Sequence, residues 1–183
     1  WAPGSRLVAF CRGGRVVVRA ERGPTLPVIV GCAPAWAASG ALTLVRQGTV
    51  VQFVPHGRAE VILPRHGVTR VAWLGHTLAA VVGRSTLVLT AGGAFDVERR
   101  LPGPIDRLWA SPRGTWLAVR TGRRIVVLDR RLHIRNTIDG GAIAWSPDER
   151  WTALANAGRV SLVRNDGRAT VTLQLRAHDL AWR

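Results

Sequence analysis

A chain of 183 residues is long enough for one well-buried domain. Hydrophobic residues at 47% and charged residues at 20% exclude a disordered chain, and no apolar run approaches the roughly 18 residues that a membrane-crossing helix needs. All 26 basic residues are arginine, and against 11 acidic ones they leave a net charge of +15. A surplus of that size favours polyanionic partners such as nucleic acid, anionic lipid or cell-wall polymer, beside the plainer reading of a diffuse basic surface.

Tryptophans stand at Trp1, Trp36, Trp73, Trp109, Trp145 and Trp182, spaced by 35, 37, 36, 36 and 37 residues. Five units follow, at about 1–35, 36–72, 73–108, 109–144 and 145–182, and their contents agree as well as their lengths. After each Trp comes a short polar turn (2–5, 37–40, 74–76, 110–114, 146–150) and then an apolar run: RLVAFC at 6–11, ALTLV at 41–45, TLAAVV at 77–82, TWLAV at 115–119, WTALA at 151–155. A second turn rich in Gly and Arg leads to the most regular segment, RVVVRA (15–20), TVVQFV (49–54), TLVLTA (86–91), RIVVLD (124–129) and RVSLVR (159–164). A further turn, clearest in RNDGR (164–168), introduces a last run such as AEVILP (59–64) or ATVTLQL (169–175). Runs this short, rich in β-branched residues and bounded by Gly, Pro or Asn-Asp-Gly, predict four strands per unit. Glycine at this frequency excludes helical solenoids.

A small sheet repeated in this way covers its faces by stacking on its neighbours around an axis, which makes the expected fold an all-β propeller of five four-stranded blades in a single domain. The Trp closes the innermost strand of each unit, preceded by Ala in four of the five complete inner strands, and is expected to pack between sheets. Ser146-Pro147-Asp148 and Ser111-Pro112-Arg113 recur at one repeat position. They are therefore turns, with Pro setting φ and the polar side chains bonding nearby N–H groups. Ser146 is not expected to be a nucleophile.

The stretch AIAWSPDERWTALA at 142–155, with LWASPRGTWLAV at 108–119 as a looser copy, resembles the Trp-Ser-Pro-Asp-Gly core of the WD40-like repeats of TolB-type β-propellers. No blade carries the Trp-Asp ending of true WD repeats, and only His178-Asp179 is similar to their histidine. The resemblance implies an interaction module, often exported in bacteria and attached to other domains. It favours an extracytoplasmic setting and names no ligand.

Blade one lacks an inner strand of its own, and AHDLAWR at 177–183 is an inner strand without a following blade. Pairing residues 178–182 with 6–11 would close the ring; the competing reading is a fragment of a longer propeller. The chain opens on Trp1 and contains no Met, which reads as a processed or excised part of a longer protein. Cys11 and Cys32 point toward the same face and are candidates for a disulfide, against two unpaired cysteines in packing roles.

The histidines are scattered without zinc-like spacing, no paired-carboxylate or Ser-His-Asp constellation assembles, and no cofactor is expected. Arg70, Asp106, Arg107, His178 and Asp179 sit just before the tryptophans of their blades. Charges at that depth either pair, as Asp106 with Arg70, or line a channel mouth that takes an anionic ligand or a partner's peptide. The function expected is a non-enzymatic, monomeric interaction or sensory module for a protein or anionic polymer. Any nucleic-acid binding would be weak and salt-sensitive, since the aromatics are spent in the core. The alternatives are the gating propeller of a prolyl-oligopeptidase-like hydrolase whose catalytic domain lies elsewhere, and a lyase working at the axis.

Overall fold

The computed structural model describes residues 2, 6–22, 28–53, 59–91, 94–156, 158–165, 168–173 and 180, with backbone alone at 94–96. Trp1, His178, Asp179 and Trp182, and with them the ring-closing strand expected at 178–182, lie outside these residues. Among the described residues there is no helix, and none long and apolar enough to cross a membrane. Strands follow one another as antiparallel meanders in five sheets. Sheet I holds β1 (Leu7–Arg12), β2 (Arg15–Ala20) and β3 (Ile29–Val30); sheet II holds β4 (Cys32–Trp36), β5 (Leu42–Arg46), β6 (Thr49–Phe53) and β7 (Ala59–Leu63). Sheet III holds β8 (Val68–Leu74), β9 (Thr77–Val82), β10 (Thr86–Ala91) and β11 (Ala94–Arg100). Sheet IV holds β12 (Ile105–Ala110), β13 (Leu117–Thr121), β14 (Arg124–Leu128) and β15 (Ile134–Asp139), and sheet V holds β16 (Ala142–Trp145), β17 (Trp151–Asn156), β18 (Arg159–Arg164) and β19 (Thr170–Leu173). Sheet I thus has three described strands where the repeat leads one to expect four.

The chain forms two compact units, residues 1–100 with sheets I to III and residues 101–183 with sheets IV and V. Within each, burial is graded across the sheet. The middle strands are covered on both faces, Leu78–Val81 and Leu87–Thr90 being buried without alternation, whereas the last strands β7, β15 and β19 are largely exposed. Continuous apolar runs in the middle strands are what double-sided cover demands. In unit 1, Val16 and Val18 of sheet I pack with Leu42 and Leu44 of sheet II, and Val45, Val50 and Leu63 pack with Val68, Val71, Leu78 and Ala80 of sheet III. In unit 2, Ala118 and Ile125 of sheet IV meet Ile143 and Trp145 of sheet V. Each fully buried Leu, Ile or Val in these seams contributes about 1.5–3 kcal/mol.

Three described tryptophans occupy one register position: Trp36 opposite Leu42, Trp73 opposite Leu78 and Trp145 opposite Thr152. Trp109 does not share it. It pairs with Ala118, and Ala110 opposite Leu117 takes the place that the other sheets give to Trp. The even spacing conceals this shift, because side chains one residue apart face opposite sides of a strand.

Cys11 ends β1 and Cys32 opens β4, the first strand of sheet II, so the two meet across neighbouring sheets and are joined by a disulfide with Cα atoms 5.2 Å apart. That separation lies within ordinary disulfide reach. Two strands of one sheet separated by a third would stand too far apart.

Candidate functional site

The first strands begin with irregularities that decide where their charges point. Register shifts fall between Cys32 and Ala35 in β4, Val68 and Arg70 in β8, and Ile105 and Arg107 in β12. A bulge re-aims the extra residue. Thr69, the extra residue of β8, donates its hydroxyl to the carbonyl oxygens of Val81 and Gly83. Its counterpart in β12 is Asp106, whose two carboxylate oxygens accept from Arg120 Nε at 2.8 Å and Nη2 at 2.9 Å. That two-pronged charged bond lies within sheet IV, and Arg120 Nη1 donates singly to the Gly141 carbonyl at 2.9 Å, just ahead of sheet V.

This corrects the expected pairing of Asp106 with Arg70: Asp106 is satisfied within its own sheet. Arg70 and Arg107 hold equivalent places on β8 and β12, one in each unit. The Nε of Arg70 is buried and has no hydrogen-bond partner among the described residues. The described members of the candidate channel-mouth set are therefore a bonded pair partner, Asp106, and two arginines on separate units.

The Ser-Pro turns are built alike. Ser111 and Ser146 are buried at 2% and 4% exposure, and each hydroxyl accepts the N–H of the Trp five residues on, Trp116 at 2.8 Å and Trp151 at 2.9 Å. The Ser146 hydroxyl donates to Asp148 at 2.6 Å. That hydrogen bond, with one from the Arg150 N–H, holds the Asp148 carboxyl below its ordinary value. A serine so engaged is turn architecture.

At the next position sheet IV has Gly114 and sheet V has Glu149, with φ of 70° and 57°. Glu149 adopts a conformation that L side chains avoid, and its carboxylate accepts the Arg113 N–H at 2.7 Å, tying the two turns together. Burial pushes that carboxyl up, but bonds from Ser111, Thr115 and Arg113 outweigh it and hold the group below its ordinary value.

Between sheets IV and V lies a cleft of about 430 Å³. Its apolar wall comes from Trp116, Val127, Ile143, Trp145 and Leu154, and its polar rim from Arg135, Asn136, Arg164 and Asn165. Trp145 is nearly buried, whereas Arg135, Asn136, Arg164 and Asn165 are exposed. Arg135 is aimed by Asp129, whose Oδ2 accepts its Nε at 3.0 Å and Nη2 at 2.7 Å. The seam between sheets II and III holds a comparable hollow of about 360 Å³, lined by Trp73 with Ala37, Ala38, Ser39, Gln52, Gly75 and His76. There small residues stand where sheet IV supplies Trp116, and arginine is absent from the lining. Two indoles and two guanidinium groups around one apolar floor distinguish the cleft of unit 2. Volume and chemistry suit a peptide side chain with a neighbouring carboxylate. Among the described residues, no three His, Cys, Asp or Glu side chains converge as metal ligands would.

No protein-family model and no curated protein matches the sequence. Solved structures do. The β-propeller domain of Cps50 (Swd1) from Myceliophteria thermophila matches with a TM-score of 0.74 at 14% identity, over 100% of this chain and 74% of that one. A chain of a mitotic checkpoint complex matches with a TM-score of 0.73 at 15% identity, over 96% of this chain and 63% of that one. Hsv2 of Kluyveromyces lactis matches with a TM-score of 0.61 at 12% identity over 79% of this chain, which spans about half the length of the Hsv2 chains. The fold is a β-propeller, all-β with five blade-type sheets.

Proposed function

We propose that the protein is a non-enzymatic interaction module that holds an acidic segment of a partner protein in the cleft between sheets IV and V. The observation that carries this is the pairing of Trp116 and Trp145 with Arg135 and Arg164 around one apolar hollow. Indole and guanidinium groups are the side chains that most often dominate protein interfaces. Propeller likeness to Swd1 and to the checkpoint-complex chain supports the module reading. The Ser146-Pro147-Asp148 turn supports kinship with TolB-type propellers of exported bacterial proteins, and the Cys11–Cys32 bridge supports an oxidising compartment.

The test is titration of the full chain with short acidic peptides, each carrying one aromatic or leucine anchor, followed by indole emission. Saturable binding is expected, weakened about tenfold or more by Arg164→Glu and by Trp116→Ala. The exposed Arg164 position guards against a folding defect at Trp116. If no peptide binds, or if Arg164→Glu changes nothing, the reading falls.

A further inference from the structure

We infer that one end of unit 1 is a binding surface for double-stranded nucleic acid, recognised through its phosphates. This inference does not rest on the cleft, which lies in unit 2. Unit 1 carries twelve arginines against four acidic residues, and the strand registers gather many of those arginines at the turns between second and third strands. Arg12 and Arg15 face each other across the Gly13-Gly14 turn of sheet I, and Arg46 closes β5 ahead of the Gln47-Gly48 turn of sheet II. Arg84 lies in the turn between β9 and β10, and Arg100 pairs with Thr86 beside it. All five are exposed, and among the described residues none of their guanidinium groups has an ion-pair partner.

Compensating acid is scarce there. Glu98, on β11, is taken by Arg65 at 3.2 Å, Glu21 sits with Arg6 at the opposite end of its sheet, and Glu60 lies near the start of β7, far along the strand from Arg65. Arg70 follows Thr69, which is bonded to the Gly83 turn, and its buried Nε has no hydrogen-bond partner among the described residues.

The turns are also fixed to the connections between the sheets. Gly31 N–H donates to Gly14 O at 3.1 Å, Val68 N–H to Gly48 O at 2.9 Å, and Gly83 N–H to Gly67 O at 2.7 Å. A Cβ at Gly48, where φ is +75°, would stand 3.0 Å from the Gly67 nitrogen, so the turn of sheet II abuts the connection into sheet III, to which the Gly83 turn is also bonded. Cations from three sheets are thereby held on one preorganised rim. Arginine's planar fork matches phosphate oxygens, and a duplex offers one phosphate charge per about 1.7 Å of axis.

No aromatic side chain stands in these turns, so the platform that unstacked single strands need is missing. Phe10 and Val30, exposed by 37% and 59%, lie beside Arg12 and Arg15 on sheet I only. An anionic membrane would exploit such a pair, and it enters the test as the rival occupant.

The experiment is fluorescence anisotropy of a mixed-sequence duplex of ~20 base pairs with the full chain, from about 50 to about 200 mM salt. Wild type is compared with Arg12→Ala/Arg46→Ala/Arg84→Ala and with Arg6→Ala/Arg22→Ala/Arg150→Ala, which removes the same charge elsewhere; melting curves of both triples establish folding. The expected result is a tenfold or greater loss for the first triple, with a log–log salt slope shallower by about 3, and a smaller effect of the second. Equal loss in both triples, or none in the first, overturns the inference. So does tight binding to phosphatidylserine/phosphatidylcholine vesicles that depends on the first triple while the duplex fails to bind. Peptide binding at the cleft is read separately through Arg164→Glu, so either proposal can fail alone.

Discussion

The indole Nε1–H of Trp73 donates to the hydroxyl of Thr43 at 2.9 Å, across the seam between sheets III and II. Thr43 is fully buried and stands three residues before Arg46, the last residue of its strand. In sheet I the residue three before Arg12 is Ala9, and the Nε1 of Trp36 is buried without a hydrogen-bond partner among the described residues. The same ring at the same register is satisfied on one seam and orphaned on the other, because one strand carries a hydroxyl and its counterpart a methyl group.

Thr43→Val keeps the volume and removes the acceptor. It is expected to destabilise the protein by about 1–3 kcal/mol, the desolvation cost of a buried unpaired donor, read by urea denaturation. Ala9→Thr, which offers Trp36 the missing acceptor, is expected to be neutral or stabilising in the same assay. A harmless Thr43→Val would remove the seam bond from the account of stability.

Ser146→Ala deletes the acceptor for the Trp151 N–H and the donor to Asp148. A loss of about 1–2 kcal/mol is expected, and Ser111→Ala should cost a similar amount, since it removes the acceptor for the Trp116 N–H and a hydrogen bond to Glu149. Because the hydroxyl is spent in the turn, wild type should resist labelling by a serine-directed phosphonate. Stoichiometric labelling at Ser146 would contradict the structural role.

Asp129 responds to pH. Burial pushes its carboxyl up, but the N–H groups of His133 and Arg131 and the Arg135 guanidinium pull harder, bringing it down to about 2. A carboxyl depressed in the folded state contributes stability that is fully present above the unfolded value of roughly 3.9 and is lost as pH falls toward the folded one. Melting temperature should therefore decline between about pH 4 and pH 2, and Asp129→Asn should flatten that decline. An unchanged acid limb in the variant would show that Asp129 is not the group involved.

The period of the fold was legible because each sheet needs the same apolar middle strands and the same glycine turns, and the strand positions follow from those alone. Trp109 was not placed by its spacing. Anchoring the repeat on Ser111-Pro112 against Ser146-Pro147 shifts Trp109 by one residue, a signal present in the residues but hidden by counting indoles. The partner of Asp106 depended on a bulge, and a bulge changes which cross-strand neighbour a side chain meets without marking the composition. Trp116 read as part of an apolar run; its place in the cleft comes from the neighbouring sheet, which no local pattern contains.

The Cys11–Cys32 bridge spans 21 residues and encloses β2 and β3. A protease that nicks the chain inside this covalent loop leaves both fragments tethered, and tension applied ahead of β1 passes directly into sheet II without unzipping the two strands between. Reduction removes that short circuit, so the mechanical and proteolytic endurance of the first sheet is set by the thiol chemistry of its surroundings as much as by its packing.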